Sequence, residues 1–157
     1  MPTLERVRQY LAGHGVAVLT FDQPTPTAET AAAAVGCSPA EIAKSITFLV
    51  SGAPLLIVTS GDMKVKSSRL KQVSGRSGKV KLAGAAEVVA ATGYPPGGVC
   101  PFLLPPAVPV LIDRSLRRFP QVYAAAGNAN SAVPITVEQL LALTGGVEVE
   151  VCTPLAD

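Results

Sequence analysis

The sequence predicts an α+β domain, a mixed and mostly antiparallel β-sheet with helices packed around it. Three observations carry that class. Short β-rich apolar runs outnumber the helical patterns. Two of them, residues 46–50 and 55–59, flank Ser51-Gly52-Ala53-Pro54 and read as a hairpin. The helical stretches fall between strands too irregularly for a strict βαβ series. A chain of 157 residues, 48% hydrophobic and 15% charged, is read as one domain over residues 1–157 with a core of its own.

In chain order, residues 3–12 place Leu4, Val7 and Leu11 on one helical face and stop at Gly13. Residues 16–21 read as a short strand, and Pro24-Thr25-Pro26 as a turn. Thr27 caps an alanine-rich helix that runs through Val35 and stops at Gly36. Ser38-Pro39-Ala40-Glu41 is a capping box with proline at the first helical position, so a brief helix is expected to end near Lys44. After the hairpin, Gly61-Asp62 opens a basic segment in which Leu70 and Val73 mark a helix ending at Gly75. Residues 80–82 read as a strand and 85–92 as a helix closed by Gly93. Residues 108–113 and 122–126 look like buried central strands. Residues 133–135 lead into a helix over 137–143 capped by Thr136, and 147–151 form a last strand.

Composition narrows the function. With four Phe, three Tyr and no Trp, the chain does not suit an aromatic platform for several stacked bases. Net charge is only +2, but residues 63–82 hold Lys64, Lys66, Arg69, Lys71, Arg76, Lys79 and Lys81 without one acid. Arg114, Arg117 and Arg118 form a second cluster. Such runs suit a phosphate backbone, or are solvated faces. Cys37, Cys100 and Cys152 make no CxxC pair and His14 is the single histidine, so neither a metal site nor a cofactor is expected. Unpaired cysteines fit a reduced, cytoplasmic protein, and no apolar run reaches membrane-spanning length.

The stretch Gly93-Tyr94-Pro95-Pro96-Gly97-Gly98-Val99-Cys100-Pro101 is the strongest local signal. Adjacent glycines let backbone approach a ligand, and the prolines stiffen the loop. It is either a tight connector or a cradle whose N–H groups hold an anion or a developing oxyanion.

Taken together, Thr27-Ala28-Glu29-Thr30-Ala31-Ala32, Ile42-Ala43-Lys44-Ser45-Ile46, Ser60-Gly61-Asp62, Thr92-Gly93-Tyr94, Gly97-Gly98-Val99-Cys100-Pro101, Ile112-Asp113 and Ala126-Gly127 resemble the YbaK family. That family is also seen as the editing insertion of bacterial prolyl-tRNA synthetases. The order and spacing carry the resemblance, over roughly residues 3–146. It implies a barrel-like mixed-sheet fold and a freestanding deacylase for mischarged tRNA, with tRNA(Pro) carrying alanine or cysteine as the expected substrate. The implied partner is the acceptor end of aminoacyl-tRNA, with a synthetase also admitted and neither DNA nor membrane.

By that resemblance Lys44 holds the terminal backbone of the tRNA, while Gly97 and Gly98 address the scissile carbonyl. Ser45, Gly93, Tyr94, Pro101, Asp113 and Gly127 fall at the substrate, and Lys64, Lys66, Arg69 and Lys71 on the tRNA. Local readings stand beside these. Lys44 at a helix end would meet the helix dipole. Asp113 caps a turn or orients pocket groups; Gly127 ends a strand or opens the pocket floor; Tyr94 packs the loop or stacks on adenine. Cys100 is a conceivable nucleophile with no histidine placed to activate it. Where many members carry Arg-Gly or histidine after Ala126-Gly127, this chain has Asn128-Ala129-Asn130-Ser131, and Ala124 and Ala125 bring no hydroxyl. Those departures leave a non-catalytic tRNA- or synthetase-binding module as the alternative.

Overall fold

The computed structural model describes residues 4–25 and 27–155. Thr3, the expected start of the first helix, and Pro26 of the expected turn lie outside them. Helix α1 (Leu4–Ala12) buries Val7 and Leu11. Strand β1 is only Leu19–Thr20, and α2 (Ala28–Val35) is capped by the Thr27 side chain and by Gly36 at φ 88°. The Ser38 capping box launches one 3-10 turn, Pro39–Glu41, and stops there. Strand β2 (Ile42–Val50) follows at once and pairs along its length with β3 (Ala53–Ser60). The expected helical end at Lys44 is therefore corrected: Lys44 is a strand residue. Long-range pairing with β3 overrides a start signal that no helical period sustains.

Ser51 and Gly52, with φ of 52° and 81°, form the two-residue hairpin turn. A strand that sequence reading missed, β4 (Met63–Val65), precedes α3 (Ser67–Ser74), whose Leu70 is buried. Then come β5 (Val80–Leu82), α4 (Ala85–Thr92) and a 3-10 turn at Pro96–Gly98. Strand β6 (Val110–Asp113) runs into a 3-10 segment, Arg114–Arg118. The chain closes with β7 (Val122–Ala124), β8 (Ser131–Ile135), α5 (Val137–Thr144), β9 (Val147–Val149) and β10 (Cys152–Pro154). The expected last strand ends early, at Val149, and a further strand that sequence reading missed, β10, pairs with β4 as a separate ribbon.

The main sheet follows the order β1-β8-β7-β2-β3-β6-β9, with β5 on β2. Its pairings are antiparallel except β2 with β7, β3 with β6 and β6 with β9. Among the described strands no ladder joins β1 to β9, so the curved sheet is not closed by hydrogen bonds. Both faces are covered, and accordingly β3 is buried without interruption from Leu55 to Ser60. One face packs Leu56, Val58, Val110 and Ile112 under α1 and α5; the other packs Leu55, Ile57 and Leu111 under Leu70 of α3. Burying a side chain such as Leu70 contributes ~2 kcal/mol.

One strand edge decides where the site lies. On the side away from β3, β2 pairs with β7 only at Ile42 and Ala43, and with β5 only from Phe48. Between those ladders the edge of residues 44–47 faces neither strand. The Ile42 carbonyl accepts from Gly61 on the β3 side and the Thr47 carbonyl from Ala83 on the other. Alternation then turns the backbone of Ser45 toward the gap.

Candidate active site

A cavity of about 100 Å³ occupies this gap. Residues 42–45 of β2 form one wall, Ala28 and Ala31 of α2 a second, Gly97 and Val99 a third, and Ala124, Asn128 and Ser131 the last. Successive strand side chains point to opposite faces. Lys44 and Ser45 nevertheless both line the cavity, because it sits at a missing sheet edge rather than on either face. The expected pairing of Lys44 with the glycine loop across one cavity is present for Gly97.

Lys44 is half-buried and enters none of the ion pairs among the described residues. Burial pulls its pKa below the ordinary lysine value, while Cys152, Glu29 and Asp62 oppose the shift. Burial pushes the Cys152 thiol up to about 12, so at neutral pH the charges facing Lys44 are Glu29 and Asp62. Asp62 is gripped by both terminal nitrogens of Arg118, at 2.7 and 3.1 Å, and those bonds hold its carboxyl below the usual range.

The glycine loop differs from expectation in one respect. The Gly98 amide donates to the Pro95 carbonyl at 2.9 Å, closing the 3-10 turn, so it has no hydrogen left for a ligand. A Cβ at Gly98 would lie 2.5 Å from the Cα of Asn128. Gly98 is a close-approach glycine that seats one loop on another, which corrects its assignment as an oxyanion donor. Gly97 donates no hydrogen bond among the described residues, and neither does the Val99 amide two residues on. Sequence reading missed Val99, because nothing in an apolar side chain advertises a free amide.

A family model described as the aminoacyl-tRNA editing domain matches residues 22–143, which include every wall of this cavity. The chain belongs to the aminoacyl-tRNA editing domain family. Over 124 residues it is 39% identical to the uncharacterized protein YwhH of Bacillus subtilis, covering 78% of each chain. It is 25% identical over 128 residues to EbsC of Enterococcus faecalis, named as a candidate Cys-tRNA(Pro)/Cys-tRNA(Cys) deacylase, covering 81% of this chain and 77% of that one. A crystal structure named as a candidate trans-editing enzyme for prolyl tRNA synthetase superposes with a TM-score of 0.86 at 30% identity, covering 98% of both chains.

Several residues expected at the substrate of this editing domain are structural instead. Tyr94 is 0% exposed and its hydroxyl donates to the Phe102 carbonyl, so it packs the loop and has no face for adenine. Gly93 is the left-handed cap of α4, at φ 80°. Gly127, at φ 104°, lies against the Tyr94 ring, where a Cβ would meet it at 2.9 Å. Pro101 lines a separate groove beside Leu103 and Leu143. Buried Asp113 accepts from Ser115 N at 3.0 Å and Val151 N at 2.9 Å, joining β6 to its own turn and to the chain before β10. None of these five lines the cavity.

The expected cations Lys64 on β4, Lys66 at the N-cap of α3, and Arg69 and Lys71 on α3 are exposed and enter none of the ion pairs among the described residues. Cys100 is 0% exposed with its thiol pushed by burial up to about 12, which removes it as a ready nucleophile. Its sulfur lies 3.9 Å from the Phe102 carbonyl. His14 sits edge-on to Tyr10, with ring centroids 5.2 Å apart, and does not line the cavity. Among the described residues no cluster of three metal-ligating side chains occurs, and no helix is long and apolar enough to cross a membrane. Asn128 and Ser131, from the segment where this chain departs from the pattern, do face the cavity. Their side chains also brace their own loop: Asn128 Oδ1 accepts from Asn130 N, and Ser131 Oγ from Ala126 N.

Proposed function

We propose that the whole 157-residue chain is a trans-acting aminoacyl-tRNA deacylase that hydrolyses tRNA(Pro) mischarged with a small amino acid such as alanine or cysteine. The observation that carries this reading is the shared cavity of Lys44, Ser45 and the free Gly97 amide at the open edge of β2. The names of EbsC and of the structural neighbour support the substrate class.

In this reading Lys44 anchors the terminal phosphate or ribose of the acceptor end. Water adds to the ester carbonyl carbon, and the carbonyl oxygen becomes an oxyanion held by Gly97 N–H, with Val99 N–H beside it. The ribose oxygen then leaves with a proton, releasing amino acid and free tRNA. The adjacent 2′-hydroxyl supplies the proton relay, since no histidine or carboxylate is among the described residues that line the cavity. One oriented amide donor contributes ~3 kcal/mol to the transition state. Lys64, Lys66, Arg69 and Lys71 meet the backbone of the tRNA. Such an enzyme works in the cytoplasm, where tRNA is charged, alone or beside a synthetase.

A deacylation screen tests it: tRNA(Pro), tRNA(Ala), tRNA(Cys), tRNA(Ser) and tRNA(Thr), each charged with several small amino acids, against the wild type and Lys44→Ala. Hydrolysis of at least one mischarged species, with kcat/KM falling at least 100-fold in Lys44→Ala, is expected. Binding of charged tRNA without hydrolysis of any species would instead establish a non-catalytic module.

A further inference from the structure

We propose that Thr47 is a specificity-determining residue, which with Ser45 floors a second compartment that receives the aminoacyl side chain and reads a hydroxyl or thiol on it. This deepens the deacylase reading, rests on it, and within it selects cysteine over alanine as the mischarged amino acid. The compartment, about 220 Å³, lies between β2 and β5 beneath the glycine–proline loop, with Leu82, Ala83, Val88 and Val99 among its walls. It shares Ser45, Pro96 and Val99 with the cavity that holds Lys44 and Gly97, so the two adjoin along the uncovered stretch of β2.

Two observations point to a ligand there. Thr47 is 4% exposed, yet its Oγ1 has no hydrogen-bond partner, and the Ser45 Oγ is likewise buried and unpaired. Residues two apart on a strand share a face, so both hydroxyls stand side by side. They are the only polar side chains lining the compartment among the described residues. A buried hydroxyl without a partner is destabilising, and valine would fill the same shape without that cost. The polar residue makes sense if an incoming group completes its bonding.

Volume argues the same division. The cavity that holds Lys44 and Gly97 is the smaller of the two, about 100 Å³ against about 220 Å³, so an aminoacyl side chain finds more room in the second. A hydroxyl on that side chain both donates and accepts, and so bridges the two floor oxygens, a bridge that needs Thr47 as well as Ser45; a thiol does so more weakly. An apolar isostere leaves both floor hydroxyls bare, and sites built to bond a polar group reject such analogues strongly.

The test compares two isosteric esters on one tRNA, seryl and 2-aminobutyryl. In the wild type, kcat/KM for the seryl ester is expected to exceed that for 2-aminobutyryl at least tenfold. The ratio should collapse toward one in Thr47→Val and persist in Thr47→Ser. A wild-type ratio near one, a ratio unchanged in Thr47→Val, or an equal loss for both esters would overturn the proposal. Should Thr47→Val not fold, Thr47→Ala gives the same comparison. Calorimetry with non-hydrolysable 3′-amide-linked seryl- and 2-aminobutyryl-adenosine separates the two readings. If no ester is hydrolysed, the deacylase reading fails alone provided the seryl analogue still binds preferentially and Thr47→Val abolishes that preference. Equal binding of the analogues, or none, sinks the compartment too.

Discussion

Gly98 lies directly against the backbone of Asn128, with no room between them for even a methyl group. Two walls of the cavity, the turn bearing Gly97 and the loop bearing Asn128, are thereby fixed to each other. Gly98→Ala should destabilise the fold by ~1–3 kcal/mol through overpacking. It should also lower kcat/KM at least tenfold, because displacing either loop moves the Gly97 amide. A melting curve and a deacylation assay on the same preparation check both halves.

Lys44 gives a pH signature. Its pKa in the fold is lowered, burial being the main cause, so the native state releases this proton at a lower pH than the unfolded chain. Below the folded pKa the burial of charge opposes folding in full. That cost fades as pH rises from the folded toward the unfolded value. On the proposed mechanism activity runs the other way, since there an ammonium anchors the acceptor end. We expect kcat/KM, corrected for spontaneous ester hydrolysis, to fall on the alkaline side earlier than for an ordinary lysine. Lys44→Arg should move that limb upward in a single-turnover pH profile.

Cys100 should prove chemically silent. With the thiol enclosed and its pKa near 12, brief treatment of the folded protein with iodoacetamide is expected to leave deacylation within twofold of the untreated rate. Cys100→Ala should retain turnover and lose ~1 kcal/mol or somewhat more of stability from the space it vacates. Inactivation that tracks modification of Cys100 would revive the covalent alternative.

Asp113 should matter to the fold and little to the chemistry. Its carboxylate holds two backbone amides, so Asp113→Ala leaves buried donors unpaired and is expected to cost ~3 kcal/mol in urea unfolding. The folded fraction should keep wild-type kcat.

Local signals proved readable wherever a short-range rule decided the outcome. Thr27 and Gly36 bound α2, Thr136 caps α5, Gly93 ends α4, and the turn at Ser51 and Gly52 sets the hairpin. What escaped depends on partners distant in the chain. The segment from Met63 to Val65 looks merely basic until Cys152 to Pro154 pairs with it. Lys44 follows a helix-start signal, and only its pairing with Thr59 of β3 makes it a strand residue. At the cavity, residue types pointed to the loop that bears Gly97 but not to which of its amides is left unbonded. Which glycine keeps a free N–H turns on one bond to Pro95, and Tyr94 is taken out of play by the carbonyl of Phe102.

The interrupted pairing along β2 limits how this protein can change. Inserting or deleting one residue between Ile42 and Thr47 would turn every later side chain over, exchanging inward for outward positions and the floor hydroxyls for Lys44 and Ile46. New preferences can therefore arise by replacing residues in place, or by reshaping the loops around Gly97 and Asn128, but not by lengthening the strand. Selectivity and foldability are tied to a single reading frame of alternation.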